Sequence, residues 1–175
     1  MEYKLLNVFK NRRSIRKFKD EKIKTAKVEQ ILRAGLLAPS SKNKNPVEFI
    51  IIEDKETMKL LKKCKAKGAE ALNSAPCAIV IIADSQLSDV WIEDSAVATT
   101  FIQLAAEEQG LGSVWIQMRK RFNDNGDAED EVRNILDIPE NYGVLGIVAL
   151  GYKDEEKQPH DIEKLDFSKV HYKGY

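Results

Sequence analysis

Arg12, Arg13, Ser14 and Arg16 lie within five consecutive residues and form the most chemically suggestive segment of the chain. A guanidinium group donates paired hydrogen bonds to a phosphate, and a serine hydroxyl adds a further donor. The segment therefore indicates an anionic ligand that carries phosphate. A second interpretation stays open: the same residues could be a solvated basic cluster after a helix predicted over 2–10, because cations are favoured at the carbonyl end of a helix.

A polar loop is the second segment whose side chains could take part in binding or chemistry. Pro39 is followed by Ser40-Ser41-Lys42-Asn43-Lys44-Asn45-Pro46, and turn-forming residues throughout predict a loop. Ser40 and Ser41 lack the glycine frame of a nucleophile elbow, so they are not predicted to attack a substrate.

Other catalytic patterns are missing from the sequence. His160 and His171 do not pair with cysteine or carboxylate at ligand spacing, so no metal site is predicted. Gly110-Leu111-Gly112 is not a dinucleotide fingerprint, because it follows a predicted helix and leads into a strand. No side chain is predicted to act as a nucleophile or a general base. A bound cofactor would then supply the reactivity, and the protein would orient it.

Composition narrows the class of protein. The chain has 175 residues, with 28 basic and 28 acidic side chains, and this balance argues against a nucleic-acid binder. No apolar run reaches the length of a membrane span, and the N-terminus lacks the apolar core of a signal peptide. Cys64 and Cys77 are too few for a disulfide framework. We therefore expect a reduced, cytoplasmic protein of one domain over 1–175, with no nucleic-acid or membrane partner.

Predicted helices and strands alternate along the chain, and they would position these segments. This mixture fits an α+β or α/β fold. Apolar and β-branched runs predict strands over 47–52, 77–83 and 143–150, and a further strand that starts within 110–116. Helical periodicity predicts helices over 25–38, 54–72, 91–109 and 127–137, with Thr25 as an N-cap.

Two features of the sequence predict that apolar surface is buried outside the main hydrophobic core. Helix 91–109 is apolar nearly all round, which is typical of a helix in the core or at a subunit interface. The polar tail after Gly151 carries apolar side chains at widely spaced positions, so we expect it to pack against something. These tail residues are Leu165, Phe167, Val170, Tyr172 and Tyr175.

In order along the chain, these segments resemble the motifs of the nitroreductase family of FMN-dependent oxidoreductases. The segment 12–18 is similar to its phosphate motif, and 38–46 with Phe49 is similar to its second motif. Asp94-Ser95-Ala96, which leads into a long helix, and the strand entry 110–116 are similar to its central helix and flavin strand. The end of the last strand at 150–152 completes the resemblance, which is to the short members of the family.

The resemblance implies a nitroreductase-like α+β sandwich in which helices cover a central mixed β-sheet. It also implies a homodimer with two FMN sites at the interface, and a C-terminal arm that embraces the partner subunit. The over-apolar helix and the anchored tail would both be explained by such a dimer.

Site residues follow from the resemblance. Arg12, Ser14 and Arg16 would hold the phosphate and ribityl chain of FMN, with Arg13 in the same segment and Lys157 as a loose match to a basic residue after the last strand. A peptide N–H near Gln117 or Met118 would face the flavin N5, where a donor favours the reduced flavin. The partner subunit would contribute Pro39, Ser40, Ser41 and Asn43. The strand along the flavin ring would comprise Val114, Trp115, Ile116, Gln117 and Met118.

The sequence departs from the family pattern at two places. Asn45 stands where the family often has the longer Gln, and Thr100-Phe101 stands where it often has Gln-Asn. The shorter Asn45 puts a contact with the flavin ring in question, and Thr100-Phe101 could alter contacts near the dimer interface or the pocket.

The implied activity is transfer of a hydride from NADH or NADPH through the flavin to nitroaromatics, quinones or similar conjugated acceptors, by a ping-pong mechanism. One alternative is a flavin carrier or redox sensor without broad reductase turnover, which would share every motif. Another is a specialised member that dehydrogenates, dehalogenates or remodels flavin, although the short loop 84–91 argues against an added lid.

Overall fold

A computed structural model describes residues 4–175, in which four antiparallel strands form one sheet. The strands are β1 (Val47–Ile52), β2 (Cys77–Asp84), β3 (Gly112–Gln117) and β4 (Tyr142–Gly151), and their order in the sheet is β1-β2-β4-β3. The helices are α1 (Lys4–Asn11), α2 (Thr25–Leu36), α3 (Lys55–Lys63), α4 (Trp91–Glu108) and α5 (Ala128–Ile135).

The two central strands explain why the sheet is buried. All residues of β2 except its last, and all of β4 except its first, are buried. Alternate side chains of a strand point to opposite faces, so each of these strands supplies two hydrophobic clusters. Val80 and Ile147 lie in one cluster, and Ile79 and Val148 lie in the other. Helices therefore cover both faces of the sheet, as the resemblance implied.

The expectation of a mixed sheet is wrong for these four strands, since every pairing between them is antiparallel. Continuous apolar runs signal a strand covered on both faces, and here helices provide that cover over an antiparallel sheet. Among residues 4–175, the one parallel pairing is an isolated bridge between Ser14 and Ser113.

Several helix boundaries differ from the sequence predictions. Lys24, rather than Thr25, is the N-cap of α2, and no side chain caps that end. Helix α3 ends at Lys63 and does not continue to residue 72, and only a short 3₁₀ turn follows at Glu70–Asn73. The early end has a tertiary cause: Asn123 Nδ2 donates to the Lys63 carbonyl at 2.7 Å, and the Ala66 N–H donates to the Phe122 carbonyl at 3.2 Å. The start of the helix predicted over 2–10 lies outside the described residues.

Helix α4 ends at a left-handed glycine, as its sequence predicted. Gly110 has φ +74°, and the Leu111 N–H donates to the Ala106 carbonyl at 2.8 Å. This geometry satisfies the last carbonyls of the helix and turns the chain into β3. Only one face of α4 is buried: Ala98 and Ile102 lie in the core, whereas Val97 and Phe101 remain 38% and 37% exposed.

The C-terminal tail lies on the surface of this chain, and residues 158–175 are all exposed. Phe167 is 71% exposed and Tyr172 is 86% exposed, so most of their apolar surface is not covered by residues 4–175 of the same chain. Within the described residues, no helix is long and apolar enough to cross a membrane.

Candidate functional site

The basic segment is attached to the outer edge of β3. The Ile15 N–H donates to the Ser113 carbonyl at 3.0 Å, next to the bridge between Ser14 and Ser113. Further along, the Lys19 N–H donates to the Tyr152 carbonyl and the Asp154 N–H donates to the Lys17 carbonyl, both at 3.0 Å. The segment is thus held between the start of β3 and the chain that leaves β4.

The basic side chains divide between two sides of this segment. Arg13 and Lys157 line a cavity of about 660 Å³, together with Lys153. Arg12, Ser14 and Arg16 do not line it. Alternation along an extended segment would direct Ser14 and Arg16 to the side opposite Arg13, and Arg16 Nη1 lies 3.4 Å from the Ser14 carbonyl. Arg12 continues the last turn of α1, where its N–H donates to the Val8 carbonyl at 2.9 Å. The structure therefore brings Arg16 next to Ser14 and places Arg13 in the cavity with Lys157.

An anionic group already occupies part of this region. Glu155 Oε1 accepts hydrogen bonds from the backbone N–H groups of Arg16 and Lys17, and Glu155 Oε2 lies 3.6 Å from Lys157 Nζ. The Arg16 N–H is the main cause that holds the pKa of the Glu155 carboxyl below its usual value, and the charge of Lys157 and the Lys17 N–H act in the same direction, whereas burial opposes them. The local backbone therefore favours negative charge, and Lys157 lies near it.

The outer edge of β3 offers peptide groups along its length. The peptide N–H and carbonyl of one strand residue point to the same side, and this side alternates along the strand. Because the Ser113 carbonyl points outward to Ile15, the N–H groups of Trp115 and Gln117 also point outward. The Met118 N–H instead donates to the Leu145 carbonyl at 3.2 Å. Of the two predicted donors, Gln117 is therefore the one directed away from the sheet.

Side chains of this strand have a structural role. Val114, Ile116 and Met118 are buried in the core, so a ligand along the edge would meet their backbone. Trp115 Nε1 donates to Gln117 Oε1 at 3.0 Å, and Gln117 Nε2 donates to the Arg119 carbonyl at 3.1 Å. These two bonds fix the end of the strand.

The loop after Pro39 forms one turn of 3₁₀ helix at Ser41–Asn43 and has an unusual backbone. Asn43 has φ 54° and Asn45 has φ 49°, a left-handed conformation that asparagine tolerates better than most residues. The Asn45 side chain folds back, because its Nδ2 donates to the Asn43 carbonyl at 3.1 Å and its Oδ1 accepts from Ser40 Oγ at 3.1 Å. Asn45 therefore stabilises the loop itself.

The loop and the basic segment lie at opposite corners of the sheet. The loop leads into β1, one edge strand, at the end where Val47 pairs with Ala83. The basic segment joins β3, the other edge strand, at the end where Gly112 pairs with Gly151. Within one chain the predicted site residues therefore form two separate groups.

Two carboxylates in these groups were not predicted as site residues. Glu155 lies in an acidic stretch, and nothing in the sequence separates it from its neighbours. Asp94 is 6% exposed and accepts the Ser41 N–H at 2.8 Å. Its signal was a pair of acidic residues, Glu93 and Asp94, in the first turn of a largely apolar helix.

Metal ligation is not supported within residues 4–175, where no group of three or more potential ligands occurs. His160 and His171 are exposed. Cys64 and Cys77 are buried free thiols.

Comparisons with known proteins agree with this arrangement. The profile of the nitroreductase family matches residues 9–70 and 58–152. The structure of an FMN-dependent nitroreductase from Clostridium difficile R20291 superimposes with a TM-score of 0.94 and 47% identity, covering 97% of this chain and 99% of that chain.

Two further relatives are similar over most of the chain. A protein of Archaeoglobus fulgidus, provisionally named NADH dehydrogenase/NAD(P)H nitroreductase, is 38% identical over 162 residues, which cover 90% of each chain. The FMN reductase [NAD(P)H] of Bacillus subtilis is 31% identical over 161 residues, which cover 80% of this chain and 62% of that protein. From the match to the family profile, the antiparallel sheet and these similarities, we conclude that the chain belongs to the nitroreductase family.

Proposed function

We propose that this protein is an FMN-dependent oxidoreductase that takes reducing equivalents from NADH or NADPH and delivers them to flat conjugated acceptors such as nitroaromatics or quinones. The observation that carries this proposal is the free edge of β3, whose outward peptide groups start at a segment that favours negative charge. The similarity to an FMN-dependent nitroreductase, at 47% identity, supports the choice of cofactor.

The residues of the basic segment fit a phosphate. Arg12 and Arg16 form no ion pair with any carboxylate among residues 4–175, so both guanidinium groups are free to bind an anion. The two backbone N–H groups that bind Glu155 illustrate how this segment accepts negatively charged oxygens. Arg12, Ser14 and Arg16 would hold the phosphate of FMN, and Lys157 would contribute positive charge from the cavity on the Arg13 side of the segment.

The chain itself contributes binding and orientation. Bound FMN supplies the hydride chemistry between nucleotide and acceptor. The Gln117 N–H, directed outward from β3, would donate a hydrogen bond at the flavin ring, and a fixed donor there stabilises added electron density. No protein acid is assigned, because solvent can supply the protons. Donor and acceptor would use the same ring face in turn, which gives ping-pong kinetics.

A second copy of the chain would complete each site. The Pro39–Asn45 loop and the Arg12–Arg16 segment lie at opposite corners of one sheet, so a single copy does not bring them to one flavin. Apolar side chains on α1 and α4, including Leu5, Phe9 and Phe101, remain exposed and line a groove of about 390 Å³. We assign this surface to the homodimer interface, and the tail to an arm that embraces the partner.

The visible spectrum of the purified protein tests the proposal. We expect a flavin spectrum that bleaches under anaerobic NADH or NADPH and returns when a quinone or nitroaromatic is added. Bleaching with only one nucleotide would also identify the preferred donor. A flavin spectrum that does not bleach would support a carrier or sensor instead. A colourless protein that does not take up added FMN would contradict the cofactor assignment.

A further inference from the structure

Asp94 connects the first turn of α4 to two loops. Its Oδ1 accepts the Ser41 N–H at 2.8 Å, and its Oδ2 accepts Ser88 Oγ at 3.2 Å. Asp94 is 6% exposed and Ser88 is fully buried. Each carboxylate oxygen therefore has a defined partner, one in the loop before β1 and one in the loop before α4.

Burial of a carboxylate needs compensation. An unpaired buried charge is strongly unfavourable, whereas hydrogen bonds and a helix N-terminus offset the cost. Asp94 has both kinds of compensation: it lies in the first turn of α4 and it accepts two hydrogen bonds. The carboxylate is thus built into the fold at this position, and the Ser41 N–H is one of the groups that keep it there.

The loop that Asp94 holds has a backbone that needs support. Lys42, Asn43 and Asn45 have φ values of 52°, 54° and 49°, and each non-glycine residue in this region carries a conformational cost. Inside the loop, the Asn45 N–H donates to Ser40 Oγ at 2.8 Å. Outside it, Lys44 Nζ donates to the Leu87 carbonyl at 2.7 Å. The bond from Ser41 to Asp94 is the one that fixes the loop to a buried group of α4.

We infer that Asp94 is the positioning residue of the Pro39–Asn45 loop, and that it preorganises Ser40, Ser41 and Asn43 for the flavin. The second half of this inference rests on the proposed function. Asp94 contacts the backbone of the loop, and any effect that it has on flavin binding is transmitted by the loop residues.

Limited proteolysis of the FMN-free protein tests the first half without any use of activity. Lys42 and Lys44 are trypsin sites inside the loop, and cleavage there is read by the mass of the fragments. Asp94→Ala should raise the cleavage rate at these sites roughly 10-fold or more, since a hydrogen bond to a charged acceptor is lost. Asp94→Asn keeps an oxygen for Ser41 and a polar group for Ser88, so it should restore the slow rate.

Matched variants separate a local effect from general destabilisation. Asp54 also accepts a backbone N–H, that of Thr57 at 2.7 Å, and it lies at the start of α3. Asp54→Ala should leave cleavage at Lys42 and Lys44 unchanged. At Ser41, proline removes the N–H at the first position of a helical turn, where proline is tolerated, and alanine keeps it. Ser41→Pro should mimic Asp94→Ala, and Ser41→Ala should not.

FMN titration of the same variants tests the second half. Asp94→Ala should weaken FMN binding roughly 10-fold and Asp94→Asn should not, for the same hydrogen-bond reason. Unchanged cleavage in Asp94→Ala would overturn the inference. Faster cleavage with unchanged FMN affinity would overturn the proposal that Asp94 preorganises the loop for flavin. It would still support the proposal that Asp94 holds the loop in place. Failure of the wild-type protein to bind FMN would overturn the proposed function, and the cleavage rates would still decide whether Asp94 holds the loop.

Discussion

Ile15 and Ser113 set the orientation of every later peptide group in β3. The Ile15 N–H donates to the Ser113 carbonyl at 3.0 Å, and a Cβ on neighbouring Gly112 would lie only 2.8 Å from Ile15 Cβ. Glycine at 112 therefore allows this close approach. Because the Ser113 peptide points outward, alternation carries the Gln117 N–H to the same outer edge.

Replacement of Gln117 by proline should remove the outward N–H and leave FMN bound. Proline is tolerated on an edge strand when its missing N–H faces away from the sheet. We expect a more negative flavin midpoint potential and at least roughly tenfold slower reduction by the nucleotide, since one oriented donor is worth about that much or more. Spectroelectrochemistry and anaerobic stopped-flow measurements check this.

Gln117→Ala is the matched control for that prediction. It loses the same side-chain bonds to Trp115 and Arg119 but keeps the peptide N–H. An equal potential shift in the alanine and proline variants would assign the effect to the side chain and contradict the role of the peptide.

Removal of both Arg12 and Arg16 should abolish retention of FMN. Each guanidinium group lost is a charge-assisted phosphate contact worth about 1.5–3 kcal/mol, so affinity should fall by two orders of magnitude or more. The measurement is the ratio of flavin to protein after gel filtration of R12A/R16A. The control K59A/K63A removes two exposed charges from α3. Stoichiometric flavin in R12A/R16A would show that the phosphate lies elsewhere.

Deletion of residues 161–175 should weaken the proposed dimer. Exposed Phe167 and Tyr172 would be buried against the partner, and their loss should raise the dimer dissociation constant roughly tenfold or more. Sedimentation velocity over a concentration series measures this. Phe167→Asp should act in the same direction, whereas Leu60→Asp, on exposed α3 surface, should not. An unchanged sedimentation profile and thermal midpoint in the deletion variant would refute the arm.

Acid should selectively weaken the contact made by Glu155. The pKa of this carboxyl is lowered from its ordinary value of 4.5, chiefly because it accepts the Arg16 N–H. A lowered pKa in the folded state means that the stabilisation is present above pH 4.5 and is lost as the pH falls through the folded-state pKa. Wild type should therefore exceed E155Q in unfolding free energy by about 1 kcal/mol at pH 7, and by less near pH 3.5. Chemical denaturation at both pH values checks this, and a constant difference would contradict it.

Gly143→Ala should destabilise the protein through packing alone. A Cβ at this position would overlap the six-membered ring of Trp91, and the backbone of Gly143 does not have a positive φ. Overpacking of this kind costs about 1–3 kcal/mol. In a double-mutant cycle with Trp91→Leu, the cost of the alanine should largely disappear. Additive effects of the two substitutions would contradict direct contact as the cause.

Local sequence patterns were sufficient for most of the fold. The β-branched run at 47–52 predicted β1 with the observed bounds, and helix 91–109 differs from α4 by one residue. The predicted helix over 54–72 was wrong after Lys63, although Lys and Ala there are good helix formers. Its end depends on Asn123, which is 60 residues away in sequence and donates to the Lys63 carbonyl. Gly68, at φ 87°, is a local signal against a helix that reaches residue 72, but it does not place the end at Lys63.

The candidate site shows the same division. The basic cluster over 12–16 was recognised from its spacing, and the choice of Arg12, Ser14 and Arg16 as phosphate ligands came from the family resemblance. The structure attaches this segment to β3 and places Arg16 beside Ser14. Their separation from Arg13 follows from the attachment of Ile15 to Ser113, which the sequence does not show. The fixation of Ser41 by Asp94 joins residues 53 positions apart, so it is visible only after folding.

The opposite-corner arrangement has a genetic consequence. If each flavin is bound by the Arg12–Arg16 segment of one copy and the Pro39–Asn45 loop of the other, a mixed dimer of a chain with a defective segment and a chain with a defective loop carries both defects in the same site. One of the two sites in that heterodimer then receives an intact segment and an intact loop. Two inactive alleles expressed together would restore part of the activity that neither has alone.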